Sequence, residues 1–322
     1  MARRIDELDF LKCVFIVLMV TFHLIYIGDK YPYAKQLVYT FHIPAFLLIS
    51  GYLVGLDKTP RAFLRNVGWM AVPYVIMESG YIVMSAVLPV RDGLDRLDVS
   101  IWANKLLLHP LGPYWYLHTL MVGSLGGYWA YRCRRWLPGT YSLLLWLAAV
   151  LGVLSVGCRL AAPSSLFYLG AGMALRICQV RFTTFFQPSW GAFLFLAVLA
   201  LDPEHLDRFT LAGVAITYLA ISASLAVYAS LGTFVRRCCL FVGQNTFVIL
   251  VFSPLFTLPS RWMVPWFRFD DSGLVFWGVA LAFVLGGCFG VAALMDRWHL
   301  SRYFWGKERM LQRFGRETEA GG

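Results

Sequence analysis

The chain has 322 residues, 59% of them hydrophobic and only 14% charged, with a mean hydropathy of +0.64. A soluble domain of this length needs far more polar surface, so an all-α integral membrane protein is expected. A β-barrel is excluded because the apolar runs do not alternate, and the net charge of +10 is explained by topology, with no call for nucleic acid.

Apolar runs near 9–28, 37–56, 69–89, 114–131, 140–158, 165–180, 187–201, 209–231, 241–260 and 274–295 give about ten transmembrane helices. With the N-terminus in the cytosol, inward segments carry 19 Lys/Arg and outward segments 9. That bias puts both termini on the cytosolic side. MARR is followed by the acidic IDELD with no small-residue cleavage site, so the first span is expected to be retained. Residues 1–300 read as one membrane domain without internal repeats. Residues 301–322 read as a basic cytosolic tail, partly disordered, attracted to an anionic bilayer surface by about 1 kcal/mol per basic residue. The seven cysteines suggest no disulfide framework, and Cys238-Cys239 lacks metal-ligand spacing, so no metal is expected.

Polar groups inside spans are the functional candidates, because each is costly in hydrocarbon unless paired or solvated. The first span, DFLKCVFIVLMVTFHLIYIG, holds Lys12 and His23. At about 100° per residue, eleven residues are three turns plus roughly 20°, which sets the two on one face about 16 Å apart. Lys12 sits at the cytosolic rim, where a snorkelling lysine is the plain alternative. The second span returns with His42 at the depth of His23, so the two imidazoles suit a base and its orienter. A histidine hydrogen-bonded between helices is the plain alternative for His23. Pro44, two residues on, removes a helix hydrogen bond, while Ser50 is expected to bond its own helix.

Arg61 and Arg65, four residues apart, share a face in the next inner loop. They suit a phosphate-rich ligand or simple positive-inside topology. Glu78 is the acidic residue deepest in a span, read equally as helix-pairing glue or a catalytic carboxylate. In the outer segment 89–113, SIWANKLLLH is expected as an interfacial helix. The fourth span opens with Trp115, Tyr116 and His118, residues that serve as interfacial belt or as an acceptor-site lining.

Four motifs, in order, resemble those of the acyltransferase-3 family of integral membrane acyltransferases. They are Asp9-Phe10-Leu11-Lys12 with His23; Phe41-His42-Ile43-Pro44-Ala45-Phe46 with Ser50-Gly51-Tyr52; Trp115-Tyr116-Leu117; and Gly243-Gln244-Asn245-Thr246. The overall flavour is similar to the fucose 4-O-acetylase-like branch. Trp69 stands where another basic residue is expected, and Ser253 where the family often has histidine. The resemblance implies transfer of an acyl group, most commonly acetyl, from cytosolic acyl-CoA to a hydroxyl of a sugar or cell-surface glycan. Acyl-CoA is then a co-substrate, and no cofactor is permanently bound. His23 becomes the general base or a transient acyl carrier, and His42 its partner. Lys12, Arg61 and Arg65 hold the CoA phosphates, and Asn245 or Thr246 stabilises the oxyanion. The setting implied is a bacterial cytoplasmic membrane, with no particular oligomeric state. A transporter or flippase of a lipid-linked glycan is the alternative from another class, against which the missing internal symmetry counts. A degenerate membrane scaffold, favoured by Trp69 and Ser253, is opposed by the retained Lys12 and His23.

Overall fold

A computed structural model describes residues 5–87, 98–312 and 314. The MARR start, the 89–97 part of the outer segment and the last residues of the tail lie outside the described residues. In chain order the helices are α1 (Asp6–His23), α2 (Ile25–Lys30), α3 (Pro32–Leu53), α4 (Pro60–Val87), α5 (Val99–Leu107), α6 (Trp115–Arg132), α7 (Gly139–Gly152) and α8 (Pro163–Ile177). They continue with α9 (Phe182–Phe185), α10 (Gly191–Leu199), α11 (Leu211–Ser230), α12 (Thr233–Gln244), α13 (Thr246–Phe252), α14 (Pro254–Ser260), α15 (Leu274–Arg297) and α16 (Ser301–Trp305). No strand occurs among the described residues. The all-helical expectation therefore holds.

Among the described residues, five helices are long and apolar enough to cross a bilayer: Pro32–Leu53, Pro60–Ala86, Gly139–Gly157, Leu211–Ser230 and Leu274–Arg297. The pair Thr233–Gln244 and Thr246–Phe252, bent by 56°, makes a sixth if it is one broken span. Other expected spans are shorter, interrupted or, like α6, less apolar. The run expected over 9–28 closes at His23, because Leu24 takes an extended ψ of 104° before α2 begins. The run near 241–260 is divided among α12, α13 and α14, with Asn245 at the first break.

The chain forms two compact units. One comprises Met1–Phe46, Phe182–Arg302 and Lys307–Gly322; the other comprises Leu47–Arg181 and Tyr303–Gly306. In the first, α1 packs against α11, α12, α13 and α15. Its first turn carries Asp6, Glu7 and Asp9, which complement the positive end of the helix dipole. α12 approaches α1 so closely that a Cβ on Gly243 would overlap the Asp9 carbonyl. Glycine is what permits that crossing. Trp277 on α15 donates its indole N–H to Thr21 Oγ1 at 2.9 Å, tying α15 to the end of α1 that bears His23.

In the second unit α6 packs on α4, α7 and α8. A Cβ on Gly51 would strike the Leu169 carbonyl, and one on Gly172 the Leu48 carbonyl. The two glycines thus form a reciprocal small-residue crossing between the end of α3 and α8. Trp69, which replaces an expected basic residue, lays its indole against Gly306.

Candidate functional site

α1 runs unbroken from Asp6 to His23, so Lys12 and His23 do share one face of a single helix. Lys12 Nζ pairs with Asp9 Oδ1 at 2.5 Å, the carboxylate being almost fully buried and the lysine partly exposed. The Asp9–Lys12 motif is therefore a neutralised pair, which is how an ammonium is kept at low cost in apolar surroundings.

His23 is exposed. Its Nδ1 lies 2.7 Å from the Met19 carbonyl, one turn back on the same helix. A carbonyl only accepts, so Nδ1 carries the proton and Nε2 keeps the lone pair. His42 repeats the arrangement: its Nδ1 donates to the Val38 carbonyl at 2.7 Å, and its side chain is buried. Each Nδ1 is thus oriented by its own helix. The link between the imidazoles is Tyr39, whose ring centroid is 6.2 Å from that of His23 and 5.0 Å from that of His42. The Tyr39 hydroxyl also donates to the Phe22 carbonyl at 3.3 Å.

Tyr39 lines a cavity of about 560 Å³, together with Gly28, Asp29, Lys35, Gln36, Asp207 and Arg208. This volume lies within the range of small-ligand sites. Lys35 is within electrostatic reach of His23, and Arg208 of His42. Met19, Lys35, Tyr39 and Arg208 were all passed over in the sequence. A signal existed for two of them: Lys35, Tyr39 and His42 are spaced i, i+4 and i+7, one face of α3. Arg208, from the segment before α11, had none.

The late motif makes local and tail contacts. Asn245 donates from Nδ2 to the Phe241 carbonyl at 2.8 Å and accepts the Gln312 N–H on Oδ1 at 2.8 Å. Thr246 Oγ1 donates to the Gly243 carbonyl at 3.3 Å. Asn245 is buried and fastens the tail to the break between α12 and α13.

The remaining candidates, Arg61, Arg65, Glu78, Trp115, Tyr116 and His118, belong to the second unit. Arg61 and Arg65 lie exposed at the start of α4. Glu78 is fully buried and accepts the Leu111 N–H on Oε1 at 2.6 Å. Tyr74, one turn before it, donates to the Leu106 carbonyl at 2.6 Å, and His118 Nε2 bonds the Leu107 carbonyl at 2.8 Å. Three side chains thus hold the end of α5 and the segment after it. Tyr116 meets Ser50 across helices, hydroxyl to hydroxyl at 2.8 Å, so Ser50 bonds another helix where its own was expected. Trp115 stacks edge-on against Tyr116.

A protein-family model described as an acyltransferase domain, that of the acyltransferase-3 family, matches residues 5–296. Among curated proteins the chain is similar to nodulation protein NolL of Sinorhizobium fredii (strain NBRC 101917 / NGR234), 28% identical over 125 residues. That alignment covers 36% of this chain and 34% of the relative, so about a third of NolL is spanned. No solved structure matches.

Proposed function

The chain belongs to the acyltransferase-3 family, and on that premise we propose that it is a membrane O-acyltransferase moving an acyl group, acetyl first of all, from cytosolic acyl-CoA to a hydroxyl of a sugar or cell-surface glycan. The observation that carries the proposal is His23. Its imidazole is exposed, its Nδ1 proton is committed to Met19, and its Nε2 lone pair is left to act as a base.

In the proposed reaction, Nε2 of His23 takes the proton of the acceptor hydroxyl as its oxygen attacks the thioester carbonyl. The tetrahedral intermediate collapses, the C–S bond breaks, and the CoA sulfur leaves with the proton returned from the imidazolium. His42, coupled through Tyr39, positions the aromatic wall beside the base. Lys12, about 16 Å along the same helix face, is the proposed donor contact near the cytosolic rim. An anionic CoA phosphate would compete with Asp9 for its ammonium. Arg61 and Arg65, exposed in their own unit, are proposed as bidentate phosphate contacts. Trp115, Tyr116 and His118 remain proposed acceptor-side residues, alongside their observed packing duties.

Ten spans with both termini cytosolic, and a place in the bacterial cytoplasmic membrane, complete the proposal. The distribution of Lys and Arg supports it, and under it the segments around Lys35 and Arg208 lie on the outer side. The test is transfer from labelled acetyl-CoA in proteoliposomes. His23→Ala should lower turnover by about 10² to 10⁴-fold while the variant stays folded. Undiminished turnover would sink the mechanism, and acceptor translocation with no dependence on acyl-CoA would replace it with transport.

A further inference from the structure

The cavity beside the two histidines has a chemistry of its own. Its wall at Tyr39 touches both imidazole rings, and Lys35 reaches over the Tyr39 ring with Nζ 5.9 Å from the centroid. Among the described residues, no carboxylate lies within ion-pairing distance of Lys35. Lys35 is half-buried, so its ammonium is held in the cavity without the neutralising partner that Lys12 has in Asp9. Arg208, from the segment before α11, lines the same cavity.

Two carboxylates also line the cavity, and their placement matters. Asp207 spends Oδ1 on the Phe209 N–H at 2.9 Å. Its backbone carbonyl accepts the Thr210 hydroxyl at 2.8 Å, in the turn that opens α11. Asp29 is exposed at the end of α2. The charged groups that act on the imidazoles are Lys35 and Arg208. The histidine side of the cavity is thus within reach of two cations, while one lining acid bonds a neighbouring N–H and the other is exposed.

We propose that this cavity binds the acceptor and selects one carrying an anionic group, a carboxylate or a phosphate, beside the hydroxyl to be acylated. Lys35 and Arg208 are the specificity-determining residues, and Tyr39 is the platform on which the sugar ring lies. The anion also gains from partial desolvation, since a charge-assisted contact there is stronger than at an open surface. A neutral sugar would leave the Lys35 ammonium without a counter-charge. The proposal rests on the acyltransferase reading, which supplies the reacting hydroxyl.

The experiment uses the full chain in nanodiscs and three acceptors: a trigalacturonate, the matching neutral galactose trimer and glucose 1-phosphate. Binding is measured calorimetrically, without donor, on the wild type and on His23→Ala, and transfer is measured separately with labelled acetyl-CoA. The expected result is that the acidic acceptors bind more tightly than the neutral one, the two acids showing whether carboxylate or phosphate is preferred. Lys35→Gln should reduce that preference by about tenfold, Lys35→Arg should restore most of it, and added salt should weaken it. Equal binding of acidic and neutral acceptors, or a Lys35→Gln variant with the preference intact, overturns the proposal. Failure of transfer with preserved acidic binding would overturn the enzymatic reading and leave the anion site standing.

Discussion

His23 and Glu78 are both polar candidates within expected spans, and their surroundings separate them. His23 is exposed with a basic nitrogen left over. Glu78 is enclosed, and its Oε1 is committed to the Leu111 N–H, while Oε2 meets no hydrogen-bond partner among the described residues. Tyr74 and His118 make parallel bonds to Leu106 and Leu107, so the Glu78 contact belongs to a set that fixes one segment. Replacing Glu78 by Gln keeps an acceptor oxygen at the same place. It should leave transfer close to wild type and thermal stability little changed. Glu78→Leu removes the acceptor and strands a buried N–H, at about 1–3 kcal/mol. Detergent-solubilised melts with parallel transfer assays distinguish the outcomes. A folded Gln variant without activity would make the carboxylate chemical after all. At Lys12 the structure adds that the Asp9 carboxylate of the same motif, three residues back, pairs with the ammonium.

The helices that carry the motifs owe their placement to small residues and caps. Gly243 and Gly51 lie within the matched motifs, and each allows a backbone crossing that a Cβ would obstruct. A glycine in a catalytic-looking motif is here a packing requirement, which spacing alone does not disclose. The start of α15 shows how a single carboxylate holds an element. Asp270 accepts the Val275 N–H at 2.7 Å and the Ser272 hydroxyl at 2.5 Å, while Gly273 takes φ +69° to make the turn. The Ser272 hydroxyl, followed by the backbone N–H groups, holds the Asp270 carboxyl below its ordinary range. A depressed carboxylate contributes stability that is fully present above its unfolded pKa and is lost as pH falls through the folded one. Hydrogen-exchange protection at the Val275 amide, corrected for intrinsic rate, should therefore decline only on acidification below the usual carboxylate range. In Asp270→Asn it should be lower throughout and lose that pH dependence. A protection factor independent of pH in the wild type would refute the cap.

For the whole molecule, the chain returns to its first unit at the end. Asp296 accepts the Met310 N–H at 2.7 Å and the Leu311 N–H at 3.2 Å. Asn245 holds Gln312, and Met310 is buried. This stretch of the basic tail is therefore docked on the protein by specific bonds. Asn245→Ala should release it, raising protease cleavage near Gln312 roughly fivefold for a contact of about 1 kcal/mol, with transfer largely preserved. Loss of transfer with the tail still protected would return Asn245 to the oxyanion role. The sequence by itself determined the membrane class, the helical fold, the family and the Lys12–His23 column, because hydropathy, periodicity and local spacing are properties of one segment at a time. Only the tertiary structure decided that Tyr39 joins His23 to His42, that Asn245 holds Gln312, and that Lys35 and Arg208 share a cavity. Each of those relations includes a pair distant in sequence, and no local pattern encodes which distant groups will meet.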